Sequence, residues 1–147
     1  FETAGRRVVS VLSPSTPMTG SDGEGRATVT LSKDASGHFV AEATIAGQPV
    51  RFLVDTGATS TVLSPGDAAR LGIDPSTLTF SVPVSTANGA TRAARATVDD
   101  FALGPIRRSR FAVLVASDLA QSLLGMDFLS SLAGYNVRGD ALTLLDR

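Results

Sequence analysis

The sequence predicts an all-β fold, a closed or nearly closed barrel-like sandwich with one or two short helices. Short runs of alternating apolar and polar residues recur between turn residues, as in residues 26–31 and 39–45. Only two short segments are predicted to be helices, and no strand–helix–strand unit repeats. With 147 residues, 43% of them hydrophobic, the chain is long enough for one domain with a substantial core.

The first 25 residues differ in composition from the rest. They are rich in Pro, Ser and Gly, and we interpret residues 1–25 as a flexible N-terminal linker. A short apolar patch at residues 8–12 is the one part of this linker that could add a strand. The folded domain is therefore predicted to span residues 26–147.

Three predicted strands lead to a carboxylate. Residues 26–31 and 39–45 alternate, with a turn at residues 33–37 between them. After a second turn, residues 50–54 form an apolar run typical of a strand buried on both faces. This strand ends at Asp55, so the hairpin is expected to place that carboxylate at a tight turn.

A helix with clear end signals follows. Ser64 can cap it, Pro65 suits its first position and Asp67 completes a capping box. Gly72 ends it.

The second half of the chain predicts two further hairpins. Residues 80–84 and 91–98 flank Asn88-Gly89, the strongest short hairpin signal, with Pro83 leaving its strand partly unpaired. The small tip of this hairpin can act as a mobile lid, although an ordinary surface hairpin has the same pattern. Residues 111–115 predict a buried strand and residues 126–132 a short helix. The last hairpin, residues 135–145, turns at Arg138-Gly139-Asp140, which we interpret as a turn rather than an adhesion motif.

Composition excludes several classes of protein. A net charge of -1 argues against a nucleic-acid-binding protein, and the Arg-rich residues 107–110 are interpreted as a solvated strand end. Because there is no cysteine and only one histidine, His38, neither thiolate chemistry nor a multi-histidine metal site is expected, and no cofactor is predicted. No stretch reaches the length of a membrane span, but the chain begins at Phe1 rather than Met. We therefore expect that a signal or anchor segment can precede it.

Asp55-Thr56-Gly57 is the candidate catalytic motif. A carboxylate brought out of an apolar strand is costly unless it is paired or used, which favours a functional site. The alternative is an ordinary turn in which Asp55 accepts hydrogen bonds from nearby backbone N–H groups. The apolar run before Asp55, Ala58 after it and a second apolar-apolar-Gly element at Gly125 favour the functional interpretation.

The order of these motifs resembles that of the retropepsin-like aspartic proteases, from about His38 to Leu145. The match is most specific at residues 54–59 (Val-Asp-Thr-Gly-Ala-Thr) and 123–129 (Leu-Leu-Gly-Met-Asp-Phe-Leu). It is most similar to the bacterial membrane-tethered branch, which implies a protease domain in the periplasm, tethered to the inner membrane by a segment N-terminal to this chain. It also implies a retropepsin-like closed barrel with a flap hairpin.

The resemblance implies a role for each matching residue. Asp55 would be the catalytic aspartate, Thr56 would brace the active-site loop across a two-fold axis, and Gly57 would allow close approach of backbone. Ala58 and Thr59 would contact substrate, together with Ala87, Asn88 and Gly89 at the flap tip. The Leu-Leu-Gly of residues 123–125 would pack beneath the loop.

Two departures from the retroviral pattern concern the dimer. Retroviral enzymes usually carry an acid at the position of Thr59 and an arginine at that of His38, and these normally form an intersubunit ion pair. Both are absent here, so a dimer must be held differently. Ala58 also stands where acid-active relatives carry serine, which predicts activity at weakly acidic to near-neutral pH.

Peptide hydrolysis by this chemistry needs two carboxylates, and the chain has one Asp-Thr-Gly. Asp127 is expected to cap the first turn of its helix instead. The second carboxylate must then come from another copy of Asp55, which predicts a homodimer that binds an extended protein or peptide substrate at its interface. The sequence also leaves open a non-catalytic dimerisation or peptide-binding module of the same fold, and an unrelated β-barrel binding domain.

Overall fold

The computed structural model describes residues 17–86 and 89–147. Over these ranges the chain is mostly β, with two short α-helices and one 3-10 helix, Pro75–Thr77, which confirms the all-β prediction. The strands are β1 (Met18–Ser21), β2 (Ala27–Ser32), β3 (Val40–Ile45), β4 (Gln48–Val54), β5 (Val62–Leu63), β6 (Val82–Thr86), β7 (Gly89–Leu103), β8 (Ile106–Ala116), β9 (Ser122–Leu124), β10 (Gly134–Arg138) and β11 (Ala141–Leu145). The helices are α1 (Pro65–Arg70) and α2 (Met126–Leu129).

Six strands form a closed barrel, in the order β3-β4-β9-β5-β8-β7. The ring closes because the far end of β7 pairs back onto β3, with Phe101 opposite Ile45 and Ala102 opposite Thr44. Strand β6 pairs with β7 alone and lies outside the ring, as expected for a strand that carries Pro83. The predicted barrel is therefore closed, and a separate four-stranded sheet, β1-β2-β11-β10, adjoins it.

The core fills the barrel and is centred on aromatic rings. Phe101 is fully buried, and its ring centroid lies 4.8 Å from Phe111, 5.2 Å from Phe128 and 6.1 Å from Phe52. The rings come from three strands and from α2, so their contacts join α2 to the barrel wall. Such offset and edge-to-face contacts add to the stabilisation from buried area.

Helix α1 forms as predicted, with one difference at its cap. Ser64 Oγ accepts from Asp67 N at 3.1 Å, and Pro65 occupies the first turn. The Asp67 carboxylate, however, accepts from Ser122 Oγ at 2.5 Å, and that hydroxyl accepts from Ser64 N at 2.9 Å. The second half of the capping box therefore runs through a buried serine of β9 and attaches α1 to the barrel.

Part of the predicted linker is a strand. Met18–Ser21 pairs antiparallel with β2, from Met18 opposite Thr30 to Ser21 opposite Ala27. The linker prediction is wrong for this stretch because the unpaired edge of β2 supplies backbone partners that composition does not reveal. The rest of the prediction, for residues 1–16, lies outside the described residues.

Two smaller predictions concern the C-terminal region. Gly139 turns between β10 and β11 with φ +62°, which confirms the turn at Arg138-Gly139-Asp140. Helix α2 ends at Leu129, earlier than predicted, and Ser131 N and Leu132 N continue it only as i to i+3 turns. Within the ranges given above, no helix is long and apolar enough to cross a membrane.

Candidate active site

Asp55 lies where β4 leaves the barrel. Strand β4 pairs in parallel with β9, with Val54 opposite Leu124, and the Asp55 N–H donates to Leu124 O at 3.0 Å. Strand pairing therefore brings Leu123 and Leu124 beside the end of β4. The Asp55 main chain is therefore fixed at the end of β4 by hydrogen bonding to β9.

The turn after Asp55 is tight and presents its side chain. Gly57 N donates to Asp55 Oδ1 at 2.9 Å, and Ala58 N donates to Asp55 O at 3.1 Å. Asp55 is half-buried, Thr56 and Gly57 are exposed, and Ala58 is buried. Among the described residues no hydrogen bond reaches Asp55 Oδ2. The bonds of an ordinary Asp turn are thus present, and the second carboxylate oxygen accepts no hydrogen bond from the described residues.

Gly125 allows the start of α2 to pack closely against the loop that follows Asp55. A Cβ atom at Gly125 would lie 2.5 Å from Ser60 O and 2.8 Å from Ala58 O, closer than any side chain tolerates. The contact is fixed by two backbone hydrogen bonds, from Met126 N to Ala58 O at 2.8 Å and from Asp127 N to Thr59 O at 3.0 Å.

Hydrogen bonds between Thr61 and Asp127 attach the Asp55 loop to α2. The Asp127 carboxylate accepts from Thr61 N at 2.9 Å and from Thr61 Oγ1 at 2.8 Å, while Thr61 Oγ1 accepts from Gly125 N at 3.1 Å. Asp127 also accepts from Phe128 N at 2.7 Å, so it caps one N–H of the first turn of α2, as predicted. The other hydrogen bonds of its carboxylate come from Thr61. Sequence reasoning missed Thr61, which is fully buried, because its partner is 66 residues away in the chain and no local pattern connects them.

The flap-like hairpin is formed by β6 and β7. Ladder pairing with β8 reaches Ala93, opposite Ala116, and Ser117, directly after β8, still donates from its N–H to Arg92 O at 2.8 Å. Gly89 lies at the described end of the hairpin. Ala87 and Asn88, the other two predicted tip residues, lie outside the described residues.

A cleft lies between the hairpin and the Asp55 loop. It encloses a cavity of about 250 Å³ bordered by residues 57–60, residues 82–85 and Leu114. Ala58 and Thr59, both predicted to contact substrate, line it. Its apolar wall includes Val62, Val82, Val84 and Leu114, which belong to a cluster apart from the main core that also contains the buried Ala93 and Ala116. Val82, Val84 and Leu114 were not predicted as site residues, since buried strand residues look alike in sequence whichever face they line.

The positions that depart from the retroviral pattern carry no ion pair in the part of the chain that the structure describes. His38 is exposed, and its Nδ1 lies 2.9 Å from Ser36 Oγ. Hydrogen bonds from the Ser36 hydroxyl and from the His38 N–H hold the pKa of the Asp34 carboxyl below its usual value. His38 therefore belongs to a surface turn, and Thr59 is exposed at the cleft.

The site contains no evident metal-binding cluster. Over residues 17–86 and 89–147, no group of three or more His, Asp or Glu side chains is arranged to hold an ion.

Comparison with known proteins identifies the family. The sequence model described as "Aspartyl protease" matches residues 41–128, which include Asp55 and Gly125. A crystal structure of a retropepsin-like aspartic protease from Rickettsia conorii superposes with a TM-score of 0.73 at 30% identity, covering 88% of this chain and 93% of that one. The equine infectious anaemia virus (EIAV) protease in complex with the inhibitor HBY-793 shares the fold, with a TM-score of 0.58 at 21% identity over 74% of this chain and 100% of that one.

Two curated bacterial relatives are uncharacterised. A Sinorhizobium protein encoded in the cobV 5' region is 42% identical over 99% of this chain, and the Rickettsia prowazekii protein RP867 is 31% identical over 94%. The chain spans 64% and 58% of their lengths. Taken with the strand-end aspartate, the supporting glycine and the flap-like hairpin, these matches show that the chain belongs to the aspartyl protease family and has the retropepsin-like fold.

Proposed function

We propose that this chain is an aspartic endopeptidase that hydrolyses peptide bonds of extended protein substrates through paired Asp55 residues of a homodimer. The observation that carries the proposal is the placement of Asp55. It is held by β9, has one carboxylate oxygen uncommitted among the described residues and lies beside a cleft under the hairpin. Peptidase activity is what the family and the fold indicate in general terms.

The proposal needs a second copy because, among the described residues, one protomer offers one suitable carboxylate. Asp127 approaches the loop, but both of its oxygens are occupied by Thr61. Asp22, Asp34 and Asp74 accept hydrogen bonds within surface turns. A two-fold axis beside Asp55 supplies the partner carboxylate from an identical surface. Thr56, exposed next to Asp55, is then positioned to brace the two loops against each other.

Strand β10 is the surface that we assign to the dimer. It is an edge of the four-stranded sheet and exposes Tyr135 and Val137, which are 41% and 57% accessible. Unpaired edges with apolar side chains favour association with another strand. Tyr135 Oη lies 4.0 Å from Met126 Sδ, and Met126 N is bonded to the Asp55 loop through Ala58 O. Pairing of this edge between copies therefore brings the two loops near each other.

In the assembled site the two carboxyl groups share one proton. The ionised carboxylate takes a proton from a water molecule, whose oxygen attacks the carbonyl carbon of the scissile bond. The protonated partner donates to the carbonyl oxygen. Two carboxylates that share one proton cannot both be ionised, so the pair titrates as a unit, which is established behaviour of aspartic proteases. Edges of the cleft and both flaps would hold the substrate extended.

The test is cleavage of an unfolded protein at mildly acidic pH by wild-type chain and by Asp55→Asn. We expect pepstatin-sensitive cleavage by wild type, none by Asp55→Asn, and unchanged activity for the control Asp140→Asn, an exposed turn carboxylate. Analytical ultracentrifugation should show that active fractions are dimers. Wild-type activity in purified Asp55→Asn, or cleavage by a strictly monomeric species, would refute the mechanism.

A non-catalytic dimerisation or peptide-binding module is the alternative function. The same cleft and edge strand would serve it, and the absence of cleavage by dimers that bind peptide would favour it. The intact Asp55, Thr56 and Gly57 favour the enzyme.

For localisation we propose the bacterial periplasm, with a tether to the inner membrane N-terminal to this chain. The support is the resemblance of residues 54–59 and 123–129 to the membrane-tethered branch. A fusion of the full-length gene product to alkaline phosphatase, which is active only outside the cytoplasm, should be active; an inactive but expressed fusion would contradict this location.

A further inference from the structure

A second cavity adjoins the substrate cleft. Its volume is about 330 Å³, and it shares Ser60 and Leu114 with the cleft under the hairpin. Arg95, Thr97 and Asp127 complete its polar lining. Because residues 57–60 form one side of the cleft, a peptide that extends along this loop away from Asp55 reaches the second cavity at Ser60.

Strand register places the Arg95 side chain on the cleft side of the sheet. Arg95 of β7 lies directly opposite Leu114 of β8. Residues directly opposite in an antiparallel pair project from the same face. Leu114 belongs to the apolar wall of the cleft, so Arg95 leaves the sheet on that face, next to the apolar wall, and not on the barrel-core side.

Arg95 is the uncommitted charge of this cavity. It is exposed, and no ion pair or side-chain hydrogen bond involves it within residues 17–86 and 89–147. Asp127, the other charged group in the lining, has its oxygens occupied by Thr61 N, Thr61 Oγ1 and Phe128 N. The guanidinium therefore retains donors for an incoming ligand, whereas the carboxylate is committed to the loop.

We propose that this cavity is an outer substrate subsite in which Arg95 selects an acidic side chain. The ligand is an Asp or Glu side chain of a peptide whose apolar residues occupy the neighbouring cleft. This inference rests on the proposed function, because the peptide must bind at the cleft. A guanidinium pairs with a carboxylate through parallel N–H donors, a geometry that a glutamine or lysine side chain cannot reproduce.

The test measures binding separately from cleavage. The probes are fluorescent ten-residue peptides with Leu-Phe at the centre and Glu, Gln or Lys placed in turn at each outer position. Their dissociation constants are measured by fluorescence anisotropy with inactive Asp55→Asn protein, and kcat/KM is measured in parallel with Asp55 intact. Each measurement is repeated in Arg95→Gln, in Arg95→Glu and in the control Arg110→Gln, an exposed arginine of β8 outside both cavities.

At one outer position we expect the Glu peptide to bind about three- to fivefold more tightly than the Gln peptide, as for a partly exposed ion pair. Arg95→Gln should abolish this preference and Arg95→Glu should reverse it in favour of Lys, while Arg110→Gln leaves it unchanged. The preference should weaken at high salt. Equal binding of Glu, Gln and Lys peptides at every position, a Glu preference that survives in Arg95→Gln, or no binding of any peptide would overturn the proposal. Selective binding without cleavage would support the proposed subsite. It would contradict only the proposed peptidase activity.

Discussion

Gly125→Ala tests whether the close contact beneath the Asp55 loop supports the site. The new Cβ would lie 2.5 Å from Ser60 O, 2.6 Å from Ser60 C and 2.8 Å from Ala58 O. All three are backbone atoms, so no side chain can rotate away to relieve the overlap. The loop or α2 must move, and the hydrogen bonds from Met126 N and Asp127 N to the loop would be strained or broken.

The expected loss of stability follows from these two effects. Forcing a methyl group into a packed site costs about 1–3 kcal/mol. Each of the two backbone hydrogen bonds contributes about 0.5–1.5 kcal/mol. We therefore expect Gly125→Ala to lower the free energy of unfolding by about 2–6 kcal/mol, a large part of the stability of a typical domain. Activity should fall further than the folded fraction does, because the displaced loop carries Asp55.

Urea denaturation followed by circular dichroism measures the free energy of unfolding, and peptide cleavage is measured under conditions where the variant is folded. Gly66→Ala is the matched control, since a Cβ at Gly66 meets nothing within 4 Å and the residue lies in α1. It should be neutral or stabilising. A difference of about 0.5 kcal/mol or less in the free energy of unfolding is typical of neutral surface substitutions. If Gly125→Ala differs from wild type by no more than this and retains full activity, the reasoning is refuted.

Three further predictions concern the site and its surroundings. Thr61→Val removes the hydroxyl between Asp127 and Gly125 N and leaves the buried Gly125 N–H without that partner, so urea denaturation should show a loss of about 1–3 kcal/mol; an unchanged midpoint would show that the Thr61 hydroxyl is dispensable. Ala58→Ser adds a hydroxyl beside the Asp55 turn and should move the pH optimum of cleavage to lower pH, and an unmoved pH–rate profile would contradict the role given to Ala58. Hydrogen bonds from Ser36 and His38 lower the pKa of Asp34, so NMR should find its titration midpoint below 3.8. The stabilisation from Asp34 should be complete above that usual value and disappear as pH falls through the lower folded value, and a midpoint at or above 3.8 would count against these bonds.

Local patterns predicted the elements whose signals are local. The end signals of α1, the strand that ends at Asp55 and the turn at Gly139 depend on neighbouring residues, and the structure has each of them. The strand at Met18–Ser21 depends on β2 as a partner, and composition alone predicted a linker there. Pairing with a distant edge can therefore override a turn-rich composition.

The candidate site divides in the same way. Asp55, Thr56 and Gly57 are consecutive, so their apolar approach and tight turn could be predicted, as could the position of Gly125 as a second element. Thr61 could not, because its role exists only once Asp127 has been brought to it across 66 residues. The position of Arg95 beside the cleft could not be predicted either, since the face that a strand residue occupies is known only from the strand register.

By itself the sequence determined the all-β class and, through two short motifs, the family to which the chain belongs, and it predicted Asp55 as the candidate catalytic carboxylate, because each of these signals is local. Only the tertiary structure decided how the barrel closes through β7 and β3, what holds the Asp55 loop and which side chains line the cleft. These depend on strand register, and register is set by packing and hydrogen bonding between segments that are far apart in sequence.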